Sequence, residues 1–461
     1  MNANNIFVKT DLSNLSQELQ KNHKDYSETI LKSIYCQAES IAQKVVIKGD
    51  NKVDIDTIID DIVTSRYLGI PIMLALLGLV FFITIIGANY PSELLAAAFF
   101  AIEEKITQLF VAAGWSDFIQ GFFVSGVYHS VAWVVSVMLP PMAIFFPLFT
   151  LLEDAGYLPR VAFNLDSIFQ KAGTCGKQAL TMCMGFGCNA AGVTSCRIID
   201  SPRERLIAIL TNNFVPCNGR FPLVIALSMI FFGGTAAYKG IIAAGIVAGL
   251  VLIGVLMTLF ISYVLSKTLL KGIPSNFVLE LPPYRRPLIG QVIVRSIFDR
   301  TIFVLMRAII VAAPAGGIIW IMANTVVGDC SLLQYMTSFL EPIGRLIGLD
   351  GVILTAFILG LPANEIVLPL MIMGYLSTGV MIEVESLESL RSILIEQCGW
   401  TWITALCVML FSLLHYPCAT TLLTIKRETN SLKWSFLAFI IPLLVAGAVC
   451  FIGAQTLRWL V

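Results

Sequence analysis

The chain has 461 residues, of which 57% are hydrophobic and 13% charged, and its 30 Lys and Arg are balanced by 30 Asp and Glu. Soluble domains carry about 25% charged residues, so with a mean hydropathy of +0.83 most of this chain cannot be dissolved in water. A net charge of zero gives no dominating basic or acidic surface, and nothing points to nucleic acid.

Residues 1–65 are charged and weakly helical, and read as a cytosolic N-terminal arm. They open on the polar Met1-Asn2-Ala3-Asn4-Asn5, which has none of the apolar core of a signal peptide. Residues 66–150 hold the first transmembrane helices and an interfacial segment. The runs 69–88 and 131–152 come close to or exceed the ~20 apolar residues that cross hydrocarbon. Residues 90–126 between them, with Glu103, Glu104 and Lys105, read as interfacial or lumen-packed. Residues 151–240 form a first gate-type region, and 241–300 a central span followed by a basic linker. Residues 301–430 form a second gate-type region, with apolar runs 301–323, 351–376 and 401–425, and 431–461 a C-terminal span. The expected fold is all-α: a polytopic transmembrane helical protein with two gate-type halves that contain broken helices.

Lys267, Lys271, Arg285, Arg286, Arg295, Arg300 and Arg307 crowd one connection, and Lys426, Arg427 and Lys433 another, whereas residues 326–350 hold only Arg345. The excess of Lys and Arg on cytoplasmic loops places the first two inside and the third outside. The N-terminal arm, with Lys21, Lys24, Lys44 and Arg66, is then cytoplasmic.

Four helix breaks stand out. The first half has Gly185-Phe186-Gly187-Cys188-Asn189 and Val215-Pro216-Cys217-Asn218-Gly219-Arg220. The second has Leu361-Pro362-Ala363-Asn364-Glu365 and Tyr416-Pro417-Cys418-Ala419-Thr420. Proline in a helix interior removes a hydrogen bond and clashes with the preceding turn. At membrane depth such breaks occur where they are buried in protein or line a wet cavity. Two interrupted segments in each half are the pattern of a transporter built from an internal repeat with a midplane site.

Each break carries a side chain able to bind a cation: Cys188 with Asn189, Cys217 with Asn218, Asn364 with Glu365, and Cys418 with Thr420. Thiolate, carboxylate and amide donors suit borderline Fe²⁺ and discriminate against Mg²⁺ or Ca²⁺. Glu365 is an intramembrane carboxylate, costly enough that function is its default reading over a local backbone cap. Cys188, Cys217, Cys418, Asn189, Asn364 and Glu365 are therefore the candidate metal path, with carbonyls of the broken helices completing the coordination. His415 adjoins a break. The pair Glu153 and Asp154 ends an apolar run and reads either as an interfacial cap neutralised by Arg160 or as a cytoplasmic funnel for cations. Cys183, Cys196, Cys407 and Cys450 read as packing residues and all eleven cysteines as thiols. No CxxC or HExxH spacing calls for a structural zinc site.

The nearest approach to a P-loop is Gly173-Thr174-Cys175-Gly176-Lys177-Gln178. It lacks the first glycine at the right distance and has Gln where Ser or Thr is needed. No catalytic residues and no permanently bound cofactor are expected, and any GTP hydrolysis belongs to a partner.

The run from Leu152-Glu153-Asp154-Ala155-Gly156-Tyr157-Leu158-Pro159-Arg160 to Phe163, with Gly185 to Asn189, Arg203-Glu204-Arg205-Leu206 and Pro216 to Arg220, resembles the first gate region of the bacterial ferrous iron transporter family FeoB. Leu269-Leu270-Lys271-Gly272 onward to Glu280-Leu281-Pro282-Pro283-Tyr284-Arg285 is similar to that family's central linker. Asn364-Glu365, Tyr416 to Thr420 and Arg427-Glu428-Thr429 are similar to its second gate region. The resemblance runs in order over residues 55–455. It implies Fe²⁺ as the transported substrate and a multi-pass protein of the bacterial inner (cytoplasmic) membrane.

That family usually has an N-terminal G domain, whereas here a short arm precedes the first span. The departure implies a separate GTPase, or a paralogue without GTP control; a small accessory protein and a homo-oligomer are further partners to be expected. The rivals are the same fold carrying another divalent metal or a nucleoside-like solute, and a membrane scaffold or sensor that recruits a GTPase.

Overall fold

The computed structural model describes residues 33–34, 36–41, 44–45, 55–65, 67–232, 239–272, 288–381 and 387–460. The linker motif at 280–285, the linker arginines Arg285 and Arg286, and Lys21, Lys24 and Arg66 lie outside them. The chain divides into residues 1–58 and 59–461, and the second unit carries the membrane helices.

Among the described residues seven helices are long and apolar enough to cross a membrane. After the short helix α1 (Ile55–Val63) they begin with α2 (Gly69–Ala112) and α3 (Asp117–Asp154). The sequence runs suggest that the first span ends near residue 88, yet α2 continues for 44 residues through Pro91. A helix of that length is ~66 Å long, about twice the hydrocarbon thickness. The Leu- and Ala-rich stretch after Pro91 carries strong helix formers that sustain it.

The first half continues through α4 (Tyr157–Lys171), α5 (Lys177–Gly187), α6 (Asn189–Ser195), α7 (Pro202–Thr211), α8 (Phe221–Phe232) and α9 (Lys239–Lys267). The second half has α10 (Ile289–Asn324), α11 (Leu332–Leu346), α12 (Gly351–Leu359), α13 (Val367–Leu376), α14 (Trp402–Leu414), α15 (Ala419–Thr429) and α16 (Leu432–Leu460). A two-residue hairpin, Val326–Val327 against Cys330–Ser331, separates α10 from α11.

The halves match element by element. Helices α3 and α10 each pass through a π-helical turn, Gly121–Tyr128 and Ser296–Ile302. Each is followed by an amphipathic helix of 15 residues, α4 or α11. Gly173 (φ 82°) and Gly348 (φ 79°) then turn the chain in the left-handed region that favours glycine. Next come the short helices α5 and α12; each is followed by a break that contains an extended residue of nearly identical geometry, Cys188 (φ −153°, ψ 125°) and Ala363 (φ −152°, ψ 128°). Helices α7 and α14 are both N-capped by a hydroxyl, Ser201 bonding the Glu204 N–H and Thr401 the Thr404 N–H. Both lead into a Pro-Cys break.

The repeats run in opposite directions. Ser130, near the start of α3, packs on Gly316 near the end of α10. Ser296, near the start of α10, donates to Thr150 near the end of α3 at 3.1 Å. The fold is thus an inverted repeat, the architecture that brings discontinuous helices together at mid-depth.

Two sequence expectations shift. The run 351–376 is not one continuous helix: α12 ends at Leu359, and the chain is broken before Asn364, where Gly360, Pro362 and the extended Ala363 interrupt it; α12 also meets the preceding α11 at 111°. Residues 202–232 form a span that apolar runs alone do not reveal, since Arg203, Glu204 and Arg205 occupy its first turn. The basic connection also ends at Ile289, so Arg307 lies within α10, where it donates to Thr424 at 2.9 Å.

Gly348 closes the α11–α12 turn with Cys407 and Ala454 both 2.7 Å from where a Cβ would stand. Gly348→Ala should therefore lower stability by about 1–3 kcal/mol, read as a fall in melting temperature in detergent, whereas Gly447→Ala, with open space around it, should not.

Candidate functional site

The four breaks meet. A cavity between them is lined by Cys188 and Asn189 from the first, Cys217, Asn218 and Gly219 from the second, Pro362 to Glu365 from the third, and Cys418 and Thr420 from the fourth. Met138 and Met142 of α3 and Val304 and Ala308 of α10 close it. A smaller neighbouring cavity, sharing Met142, Gly187 and Asn218, leads toward Thr84 of α2.

Polar contacts and close packing position the lining groups. Cys188 sits where α5 ends; Gly187 beside it has no side chain because Phe145 fills the space a Cβ would take. Asn189 donates to the Asn213 Oδ1 (3.4 Å), and its backbone carbonyl accepts from Asn212 Nδ2 (3.2 Å). Gly185 and Gly192 let Asn212 approach that closely. Asn364 Nδ2 lies 3.7 Å from Cys217 Sγ, which ties the third break to the second. The Glu365 carboxylate packs on Gly219, with Oε1 2.2 Å from the place a Cβ would occupy. Cys418 Sγ is 3.2 Å from Thr421 Oγ1. Thr420 Oγ1 is buried without a hydrogen-bond partner at the cavity wall.

All six residues of the expected metal path therefore stand around one cavity. Cys188, Cys217, Asn189 and Asn364 are buried, and Glu365 and Cys418 half-buried. Among the described residues no three His, Cys, Asp or Glu side chains are already set to hold a metal ion. Joint ligation by the three thiols would require them to close on the ion.

His415 is not part of the lining. Its Nδ1 lies 2.9 Å from the Ser412 carbonyl and 3.1 Å from that of Phe411, and its ring packs among Phe357, Phe411 and Tyr416. Glu153 and Asp154 are exposed at the far end of α3, away from the cavity. Arg160 beside them is buried and pairs with Asp60 at 2.9 Å. The eleven cysteines are free thiols, and Cys196, Cys407 and Cys450 are packed at 1% exposure or less.

The expectation that broken-helix carbonyls face the cargo is met differently. Several carbonyls at and beside the breaks are taken by protein donors. The Leu361 carbonyl accepts from the Ala419 N–H at 2.7 Å, and the Phe357 carbonyl from Tyr416 Oη at 2.8 Å. Arg220, 1% exposed, donates to five oxygens: the backbone carbonyls of Asn213 (2.9 Å), Leu413 (2.7 Å), His415 (3.2 Å) and Tyr416 (3.2 Å), and Asn213 Oδ1 (3.0 Å). Asn213 Nδ2 adds a bond to the His415 carbonyl at 2.6 Å. Arg220, Asn212, Asn213 and Gly219 are the residues that reading by ligand chemistry passes over. An arginine beside a helix break in an apolar region is itself a signal, since intramembrane charge is rare.

On one face of the bundle, α6 and α15, which both begin at the cavity, are clipped together where Arg197 grips Glu428 with two bonds of 2.7 Å. Arg307 lies over the Phe303 ring at 4.1 Å nearby.

A family profile described as Gate, nucleoside recognition, matches residues 135–232 and 305–432, the two halves of the repeat. A second, described as the ferrous iron transport protein B C terminus, matches residues 247–299 between them. The chain is thus similar to the membrane part of FeoB proteins. The Fe(2+) transporter FeoB of Staphylococcus aureus (strain MSSA476) is 29% identical over 450 residues, covering 95% of this chain and 63% of that protein. The Fe(2+) transporter FeoB of Methanocaldococcus jannaschii is 25% identical over 459 residues, covering 96% and 65%. A protein of Porphyromonas gingivalis named as a fusion of Fe(2+) transport protein A and Fe(2+) transporter FeoB is 27% identical, covering 86% and 50%. The chain spans less than two thirds of the length of these relatives. No solved structure matches it.

A small water-soluble thiol reagent should label single-cysteine proteins retaining Cys188 or Cys418 at least about tenfold faster than those retaining Cys407 or Cys450, because access controls thiol reactivity. Equal labelling rates would contradict the cavity.

Proposed function

We propose that this chain is the permease of a ferrous-iron uptake system and that Fe²⁺ crosses through the cavity where the four breaks meet. The observation that carries this reading is the convergence of thiols from both halves, Cys188, Cys217 and Cys418, with Glu365, Asn189 and Asn364 on one cavity. Fe²⁺ accepts sulfur, nitrogen and oxygen donors, whereas Mg²⁺ and Ca²⁺ prefer all-oxygen shells. Three thiols at mid-depth therefore suit the softer ion, and the names of the relatives support the same cargo. The thiols bind it as thiolates and release their protons as it enters.

The basic connections around Lys267 and Lys426 support a cytoplasmic position for that face and for the N-terminus, in the inner membrane of a bacterium. The Arg197–Glu428 clip closes the cytoplasmic end by holding α6 against α15. A separate GTPase docking on this face would bias its opening. Nucleotide hydrolysis would then lie outside these 461 residues, since the Gly173 to Gln178 stretch is no P-loop. The fusion seen in the Porphyromonas gingivalis relative supports a small accessory protein as a further partner, and the permease would assemble as a homo-oligomer.

The description of the Gate profile raises a nucleoside-like cargo. A base would want an aromatic platform, and the cavity lining contains no aromatic ring. A scaffold without transport would have no use for the intramembrane Glu365.

Proteoliposomes holding the purified chain should take up Fe²⁺ in preference to Mn²⁺ and Zn²⁺ and should not take up adenosine. Cys188→Ser with Cys217→Ser should reduce iron uptake by about tenfold or more, the scale on which lost metal contacts act; unchanged uptake by the folded double variant would sink the path. Glu428→Gln should raise the basal rate a few-fold by releasing Arg197, measured in the same vesicles without GTPase.

A further inference from the structure

Discontinuous helices at mid-membrane ordinarily offer their freed backbone carbonyls to the cargo, and such oxygens are hard ligands suited to Na⁺, K⁺ or Ca²⁺. In this protein the carbonyls of Leu413, His415 and Tyr416, at the Tyr416-Pro417-Cys418 break, point instead into the guanidinium of Arg220. All five acceptors of that guanidinium are neutral oxygens, and its Nε is buried with no partner. Arginine stays protonated in proteins, so a full positive charge sits behind Cys217, Asn218 and Gly219, the lining residues that immediately precede it in the chain. The other titratable groups packed around this point are Cys188, Cys217, Cys418, Glu365, His415 and Tyr416. The counterpart of Arg220 in the second half is Thr421, so nothing there repeats the arrangement.

We propose that Arg220 is a specificity-determining residue. It withholds the backbone oxygens of the second-half break from hard cations and places a fixed charge beside the cavity, leaving passage to ions that sulfur can ligate. A cation that binds only oxygen finds Glu365 and the side-chain amides in the cavity but meets repulsion from Arg220 and is denied the Leu413, His415 and Tyr416 carbonyls. A cation with affinity for sulfur gains the thiols of Cys188, Cys217 and Cys418 in exchange for its water. Fixed arginines reject cations from other membrane pores by the same electrostatics. The proposal rests on the metal-transport reading above.

The test compares Fe²⁺, Ca²⁺ and Na⁺ flux into proteoliposomes holding the wild-type chain, Arg220→Met and Arg220→Lys. Arg220→Met releases the carbonyls of Asn213, Leu413 and Tyr416 from the guanidinium, leaves the His415 carbonyl held by Asn213 alone, and removes the charge, so its ratio of Ca²⁺ or Na⁺ flux to Fe²⁺ flux should rise by about tenfold or more, while Arg220→Lys, which keeps the charge, should stay nearer wild type. A purely structural role would lower all fluxes together and leave the ratios unchanged; that outcome in folded Arg220→Met overturns the proposal. Should Arg220→Met fail to fold, the wild-type chain decides. Micromolar Fe²⁺ or Cd²⁺ should then protect Cys217 and Cys418 from alkylation where millimolar Ca²⁺ and Mg²⁺ do not, and equal protection by Ca²⁺ overturns the proposal. Absence of protection and flux for every cation tested would instead overturn the metal reading itself.

Discussion

A helix broken inside a membrane survives only if the backbone groups it frees find partners away from lipid, and the architecture of this protein follows from how that requirement is met. Four breaks are brought to one place, where each supplies donors or acceptors to another. Asn212 serves the first break, Asn213 and Arg220 join the second to the fourth, Ala419 serves the third, and Asn364 reaches back to Cys217. An unmet buried polar group costs about 1–3 kcal/mol, so dispersing the breaks would be far more costly than gathering them. The cavity is the space left among these contacts, and its lining consists of the residues adjacent to the breaks.

The gathering depends on the inverted repeat. Helices α3 and α10 lie against each other in opposite directions, which carries Cys188 and Ala363, and Cys217 and Cys418, to equivalent positions about a shared centre. Small residues make the approach possible: Gly126, Ser130, Gly316 and Gly317 let the two long helices touch, as small residues do between membrane helices generally. The chemistry is less symmetric than the backbone. Cysteine stands at 188 where alanine stands at 363, and glutamate at 365 where alanine stands at 190.

Much of this was legible in the sequence, for definite reasons. Proline and glycine disfavour a regular helix, and Pro216, Pro362, Pro417 and the pair Gly185 and Gly187 stand beside ligand-bearing residues, so the breaks announce themselves. Two kinds of information were not legible. Long-range pairing was one: nothing in Asn212 or Asn213 reveals that they face Asn189 and His415, because such contacts are set by how helices cross. Helix continuity was the other. Residues 351–376 are mostly apolar yet break near Ala363, while α2 runs on past Pro91, a residue type that elsewhere ends a helix. His415, set beside a break by its position in the chain, turns its ring into an aromatic cluster instead, because the extended backbone at that residue aims it away.

The pairing of Arg220 with Thr421 as its counterpart bears on the energy of the molecule as a whole. Two halves of matching geometry generate two conformations related by exchanging their roles, and without further distinction these would be nearly equal in free energy. A clamp present in only one half removes that degeneracy. The contacts that Arg220 makes with the second-half break have no mirror image at Thr421, so the two arrangements differ in free energy rather than being equivalent.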